Sequence, residues 1–295
     1  MARIPDSART LGCVALLSFL ACCTAARVEP AVRRAVMDDG TVLAYDVRGG
    51  GSPAVVFLHG WACDRTFFEA QADALAADHL VLCVDLRGHG DSGQRGEDYS
   101  IARLGKDVAD LIEQLDLEQV ALVGHSLGGP VGLSAAARLR GRVSLVVGID
   151  CLHDVEQRIP DEAIESMVES LERDLAGAMR AAVESAFSAG ADRAVVDRVL
   201  ERALRTPRAT VVGIPRAYSG LDQAALLERA RVPVRCLEAA PRGPASPRTR
   251  IEENRRHGDF DAAIVEGVGH FLMLEKPDLA TERIRRWIDE LGSRR

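Results

Sequence analysis

Apolar positions along this chain change their period several times, and the changes mark out its elements. The run Pro53-Ala-Val-Val-Phe-Leu58 is apolar almost throughout, the pattern of a short strand covered on both faces. Leu80–Leu86, Gln119–Val123, Val143–Ile149, Val232–Leu237 and Ala262–Val265 read as further strands. Helical spacing takes over near Arg65–Ala77, at Ile101–Leu115, in the small-residue stretch after Ser126 and at Pro277–Leu291. Ahead of these, Arg34–Met37 and Thr41–Val47 flank Asp39-Gly40, a strong two-residue hairpin signal. Strands that alternate with helices predict an α/β fold with a mostly parallel central sheet and helices on both sides. One segment breaks the alternation. Residues 155–228 carry only helical patterns, so a helical cap is expected there, inserted between core segments 27–154 and 229–295. Ala240–Arg248, rich in Pro and Arg, reads as an irregular loop.

Composition narrows the class without naming a function. With 295 residues, 47% of them hydrophobic and 27% charged, the chain can bury a large globular core. A net charge of −7, with arginines scattered among acids, argues against a nucleic-acid partner. The N-terminus differs from the rest. Arg3 and Arg9 precede the uncharged run Leu11–Ala26, whose apolar part is too short to span a membrane. Residues 1–26 therefore read as a secretory leader, and export to the periplasm, the envelope or the medium is the expectation. Phe19-Leu-Ala-Cys22 resembles a bacterial lipobox, which would tether the protein to a membrane through lipidated Cys22; Thr24-Ala-Ala26 suits an ordinary signal peptidase. A start codon placed too far upstream would instead leave a cytoplasmic protein. Of seven cysteines, Cys63, Cys83, Cys151 and Cys236 lie beyond the leader, too widely spaced for a metal-ligand pattern. Cys83 and Cys236 fall in strand runs and read as small core residues; pairing of Cys63 with Cys151 stays open.

Three segments carry candidate chemistry. Gly124-His125-Ser126-Leu127-Gly128 joins the strand ending at Val123 to a small-residue helix, the pattern of a nucleophile elbow. A strained turn there needs small neighbours and would present the Ser126 hydroxyl at the carboxyl end of the sheet, facing a positive helix N-terminus. Leu58-His59-Gly60-Trp61 ends an earlier strand, and its turn can aim a backbone N–H at a developing oxyanion. Trp61 and Leu127 are the candidate oxyanion donors, with His59 a structural brace for the loop. Gly267-Val-Gly-His270 follows the last strand, where a loop histidine has the freedom to act as general base. Gly88-His-Gly-Asp-Ser-Gly93 spells a dinucleotide fingerprint, but the polar residues behind it open no helix, so no nucleotide site is expected.

Taken together these segments resemble the α/β-hydrolase superfamily. His59-Gly60-Trp61 is similar to its oxyanion loop, Asp85–Ser92 to the turn after its fourth strand, Gly124–Gly128 to its elbow and Gly267–Phe271 to its histidine loop. The resemblance spans roughly residues 33–292, and the sequence departs from it at the acid. Arg242 stands where an aspartate commonly follows the strand that begins near Pro233. Some members carry the acid one strand earlier, a place that Asp150 fits, with Asp154 as fallback and Glu238 a poor third. The resemblance implies hydrolysis of a carboxylic ester, thioester or lactone, with Ser126 as nucleophile, His270 as base and Asp150 as acid, acting on a small-molecule acyl substrate without metal or organic cofactor. Relatives with an aspartate nucleophile, the haloalkane dehalogenases and epoxide hydrolases, are disfavoured. A cofactor-free haloperoxidase or perhydrolase, a carbon–carbon bond hydrolase and a non-catalytic ligand-binding protein stay as alternatives.

Overall fold

The computed structural model describes residues 30–241 and 248–291; the expected leader 1–26, with Cys22, lies outside the described residues. Eight strands form one sheet: β1 (Arg33–Val36), β2 (Val42–Gly49), β3 (Ala54–Leu58), β4 (Leu80–Val84), β5 (Val120–His125), β6 (Val143–Ile149), β7 (Val234–Ala239) and β8 (Phe260–Val265). Their order is β1-β2-β4-β3-β5-β6-β7-β8. The hairpin and the β2–β4 pair are antiparallel, and every later pair is parallel. Strand β5, which leads into Ser126, therefore lies in the interior of the sheet with β3 and β6 as neighbours.

Strand periodicity divides the core into two layers. Along β3, Val56 and Leu58 face one layer while Val55 and Phe57 face the other, and β5 divides Val120 and Leu122 from Ala121 and Val123 in the same way. All five residues of β3 are buried, which explains its unbroken apolar run. Helices α1 (Glu69–Leu75), α2 (Ile101–Gln114) and α3 (Gly128–Arg138) follow β3, β4 and β5. Helix α2 packs on α3, while α1 packs on the closing helix, which spans Pro277–Leu291.

Between β6 and β7 the chain is wholly helical: α4 (Asp161–Arg173), α5 (Leu175–Ala186), α6 (Arg193–Arg205), α7 (Arg208–Arg216) and α8 (Gln223–Ala230). Helix α6 buries Val196, Val199, Leu200 and Ala203, a stripe at helical spacing. Helices α4 to α6 pack in succession, and α7 returns to α4. Helix α8 differs, because it packs on α3. No helix among the described residues is long and apolar enough to cross a membrane.

The glycine-rich turn after β4 is an ion-pair clamp. Arg87, 1% exposed, donates from Nε to Asp107 Oδ2 (2.7 Å) and from Nη1 to Asp39 Oδ2 (2.7 Å). Gly90 is required there, since a Cβ would lie 2.2 Å from Asp85 Oδ2. The next helix opens only at Ile101, so the fingerprint Gly88–Gly93 lacks the helix that a dinucleotide site needs.

Candidate active site

Ser126 occupies the turn between β5 and α3 with φ of +52°, a left-handed conformation that a serine adopts only when its surroundings enforce it. Its N–H donates to Ile149 O (3.1 Å) and its carbonyl accepts from Gly129 N (3.0 Å), pinning the turn from both sides. Closure requires the flanking glycines. A Cβ on Gly124 would come 2.2 Å from Gly128 O, and one on Gly128 would come 2.1 Å from Leu58 O. Both contacts are backbone on backbone and cannot relax by a rotamer change. Gly128→Ala is accordingly expected to cost about 3 kcal/mol or more, read as a lower urea midpoint by circular dichroism. An unchanged midpoint would contradict this closed turn.

Asp150 follows β6, and its φ of +45° suits an aspartate better than most residues. Its Oδ1 accepts from Ala239 N (2.8 Å), and its Oδ2 accepts from His270 Nδ1 (2.6 Å). Burial by itself would raise the Asp150 pKa, but the His270 hydrogen bond and charge outweigh it and hold the carboxyl below its usual range. The histidine loop is braced in turn. His270 N donates to Ala186 O (2.6 Å), and Glu275 Oε1 accepts from Gly269 N (2.8 Å).

Two functional neighbours are not legible from motif alone. His125, 1% exposed, donates from Nε2 to His270 O (3.0 Å) and packs its ring 4.6 Å from that of His270. Burial lowers its pKa well below the ordinary value, so it serves as a neutral strut. Its place beside Ser126 was visible, but its contact with a loop 145 residues away was not. Glu275 gave no stronger signal than its position in the first turn after the histidine loop.

The other sequence candidates find plain structural roles. His59 Nδ1 donates to Gly60 O (2.7 Å) and its Nε2 accepts from Leu86 N (2.9 Å), which makes it the loop brace expected. His89 accepts from Ala62 N (3.3 Å), its pKa pushed down to about 3 by burial. Asp154 accepts from Glu156 N (3.1 Å) and so caps a turn. Glu238 is fully buried, with Oε2 3.0 Å from His153 Nδ1; burial, reinforced by Asp150, raises its pKa well above the usual range. Cys63, Cys83, Cys151 and Cys236 are all free and buried, so Cys63 and Cys151 do not pair. Asp150, His153 and Glu238 place one donor atom each within 4.8 Å of one another, the grouping among the described residues best suited to a metal ion. A metal there would have to compete with His270 for Asp150.

Two hollows meet at Ser126. The first, about 210 Å³, lies between Trp61–Cys63, His270-Phe271 and the facing sides of α5 and α6. The second, about 160 Å³, is bordered by Asp150, His153, Asp154, Gln157, Tyr218 and Gln223. The indole Nε1 of Trp61 donates to Val211 O (3.1 Å), tying the turn after β3 to α7. The backbone N–H groups of Trp61 and Leu127 donate to no acceptor among the described residues. A larger hollow of about 750 Å³ sits at the opposite ends of β5 to β7, lined by Arg140, Arg142 and Arg231, away from Ser126 and His270.

This arrangement can be set beside known proteins. The model of the alpha/beta hydrolase family matches residues 55–283, which takes in the turn after β3, Ser126, Asp150 and His270. The chain belongs to the alpha/beta hydrolase family. Its enzyme class follows from that membership, a hydrolase. Over 93 residues it is 39% identical to an uncharacterized protein of Mycobacterium tuberculosis, a stretch that covers 32% of this chain and only 27% of that relative. It is 26% identical over 273 residues to a 2-(acetamidomethylene)succinate hydrolase of Mesorhizobium japonicum, covering 86% of this chain and 94% of the other. Among solved structures it is similar to an esterase from Exiguobacterium antarcticum, with a TM-score of 0.80, 20% identity and coverage of 88% of this chain and all of that one. That last likeness is one of fold.

Proposed function

We propose that this hydrolase cleaves a carboxylic ester, thioester or lactone through an acyl-enzyme on Ser126. The observation that carries the reading is the 2.6 Å bond from His270 Nδ1 to Asp150, made beside a serine held at positive φ on a shared hollow. With its proton on Nδ1, His270 leaves Nε2 unprotonated to take the serine proton as Oγ attacks the carbonyl carbon. The negative charge that develops on the carbonyl oxygen is met by the unengaged N–H groups of Trp61 and Leu127, at the N-terminus of α3. His270 then gives the proton to the departing alcohol. Water, deprotonated by the same imidazole, attacks the acyl-enzyme and releases the acid, restoring Ser126.

The direct test is a fluorophosphonate probe. It should modify one equivalent per chain, and peptide mass analysis should place the adduct on Ser126. An unmodified Ser126 under conditions that label an ordinary esterase would overturn the proposal.

A further inference from the structure

Resting on the reading of Ser126 as the acylated residue, we infer that the site takes esters of neutral, short-chain acids, with acyl groups of roughly two to six carbons, and rejects anionic ones. The first hollow receives the acyl group. The carbonyl oxygen must lie against the Trp61 N–H, and the segment Trp61-Ala62-Cys63 walls that same hollow, so the acyl carbons are directed into it. Away from His125, Ser126 and His270 its wall is apolar: Met179, Ala182, Val183 and Ala186 from α5, Val199 and Ala203 from α6. Phe271 closes it and stacks on Phe187 with ring centroids 4.9 Å apart.

Size sets the chain length. The hollow holds about 210 Å³. At roughly 30 Å³ for each water-sized heavy atom, that is room for about seven, including those of the reacting carboxyl. Small residues create this room. Ala182 and Ala186 are one helical turn apart on the same face of α5, opposite Ala203 on α6. A longer acyl chain would have to part α5 from α6, which pack closely on one another.

Charge sets the second condition. Among the described residues, neither hollow at Ser126 is lined by an arginine or lysine, and the second is bordered by Asp150 and Asp154. An acyl group ending in a carboxylate would leave water for an apolar wall with no counter-charge. The leaving alcohol passes instead to the second hollow, where Gln157, Gln223 and Tyr218 offer hydrogen bonds beside the apolar Pro130, Leu152 and Ile159.

The experiment compares kcat/KM for p-nitrophenyl acetate, butyrate, hexanoate, octanoate and decanoate, with mono-p-nitrophenyl succinate as the anionic counterpart of the butyrate. The maximum should fall at or below hexanoate. Decanoate should lie about tenfold or more below that maximum, and the succinate about tenfold or more below the butyrate. Ala203→Leu should lower the hexanoate-to-acetate ratio by about tenfold, and Met179→Ala should raise the decanoate-to-hexanoate ratio. A profile that is flat or rising to decanoate, or a succinate as good as the butyrate, overturns the inference while fluorophosphonate labelling of Ser126 still upholds the site. Absence of labelling overturns both. The profile of the unmodified protein decides the matter even if a variant fails to fold.

Discussion

Ser126→Ala should abolish ester turnover, with kcat falling by a factor on the order of 10⁶, while the circular dichroism spectrum stays that of the parent. The size of the effect follows from the chemistry: without Oγ there is no atom to acylate, and His270 has no proton to move. Only binding and the oxyanion donors would remain, and these sustain a small residual rate above water. The fold should survive because the contacts that hold the turn are made by the backbone: Ser126 N to Ile149 O and Gly129 N to Ser126 O. An alanine at the same φ of +52° keeps both. Initial rates and active-site labelling on the same preparation check the prediction. Turnover within tenfold of the parent would remove Ser126 from the mechanism.

Asp150→Asn should lower kcat by about four orders of magnitude while the fold persists. The amide retains an oxygen to accept from Ala239 N, so the link between the ends of β6 and β7 persists. What changes is the proton on His270. A carboxylate accepts from Nδ1 and stabilises the imidazolium that forms as the serine is deprotonated, whereas an amide turned to donate holds the proton on Nε2 and blocks the base. The native carboxyl is poised for this task. Despite burial, the His270 bond holds its pKa below the usual range, so it stays ionised throughout the neutral region. The same depression makes its contribution to stability present above the ordinary carboxylate pKa and lost as pH falls through the lowered value. Measured rates check the assignment: near-parental activity in Asp150→Asn would remove Asp150 as the acid.

Much of the framework was legible because strands buried on both faces leave short apolar runs between the helical periods. Val143–Ile149 and the closing helix Pro277–Leu291 were read to the residue, and the hairpin around Asp39-Gly40 lies where its turn signal put it. The stretch near Arg65–Ala77 was read as one helix. The chain instead makes a 3₁₀ turn at Arg65–Phe68, capped by Asp64, before α1 begins. The local hydrogen bond that Thr66 N donates to Asp64 Oδ1 decides that break, and helical periodicity does not register it. Helix α8 carries the same kind of pattern as the helices before it, yet it packs on α3. Periodicity reports which face is apolar and is silent about what covers it.

The site divides along the same line. By itself the sequence determined the parts that chemistry forces into short motifs: glycines at 124 and 128 where any Cβ would strike backbone, a serine between them, and a histidine on a glycine loop after the last strand. Asp150 it offered only through the family resemblance, with Asp154 and Glu238 as alternatives. Only the tertiary structure decided what these residues touch. It set Asp150 2.6 Å from a histidine 120 positions away, bonded His125 to the same loop, and set α5 and α6 along a hollow that reaches Ser126. The physical reason is one of range. Steric limits on a turn act between neighbours and are written in adjacent residues, whereas a hydrogen bond or a cavity wall depends on where the sheet brings distant strands and helices together.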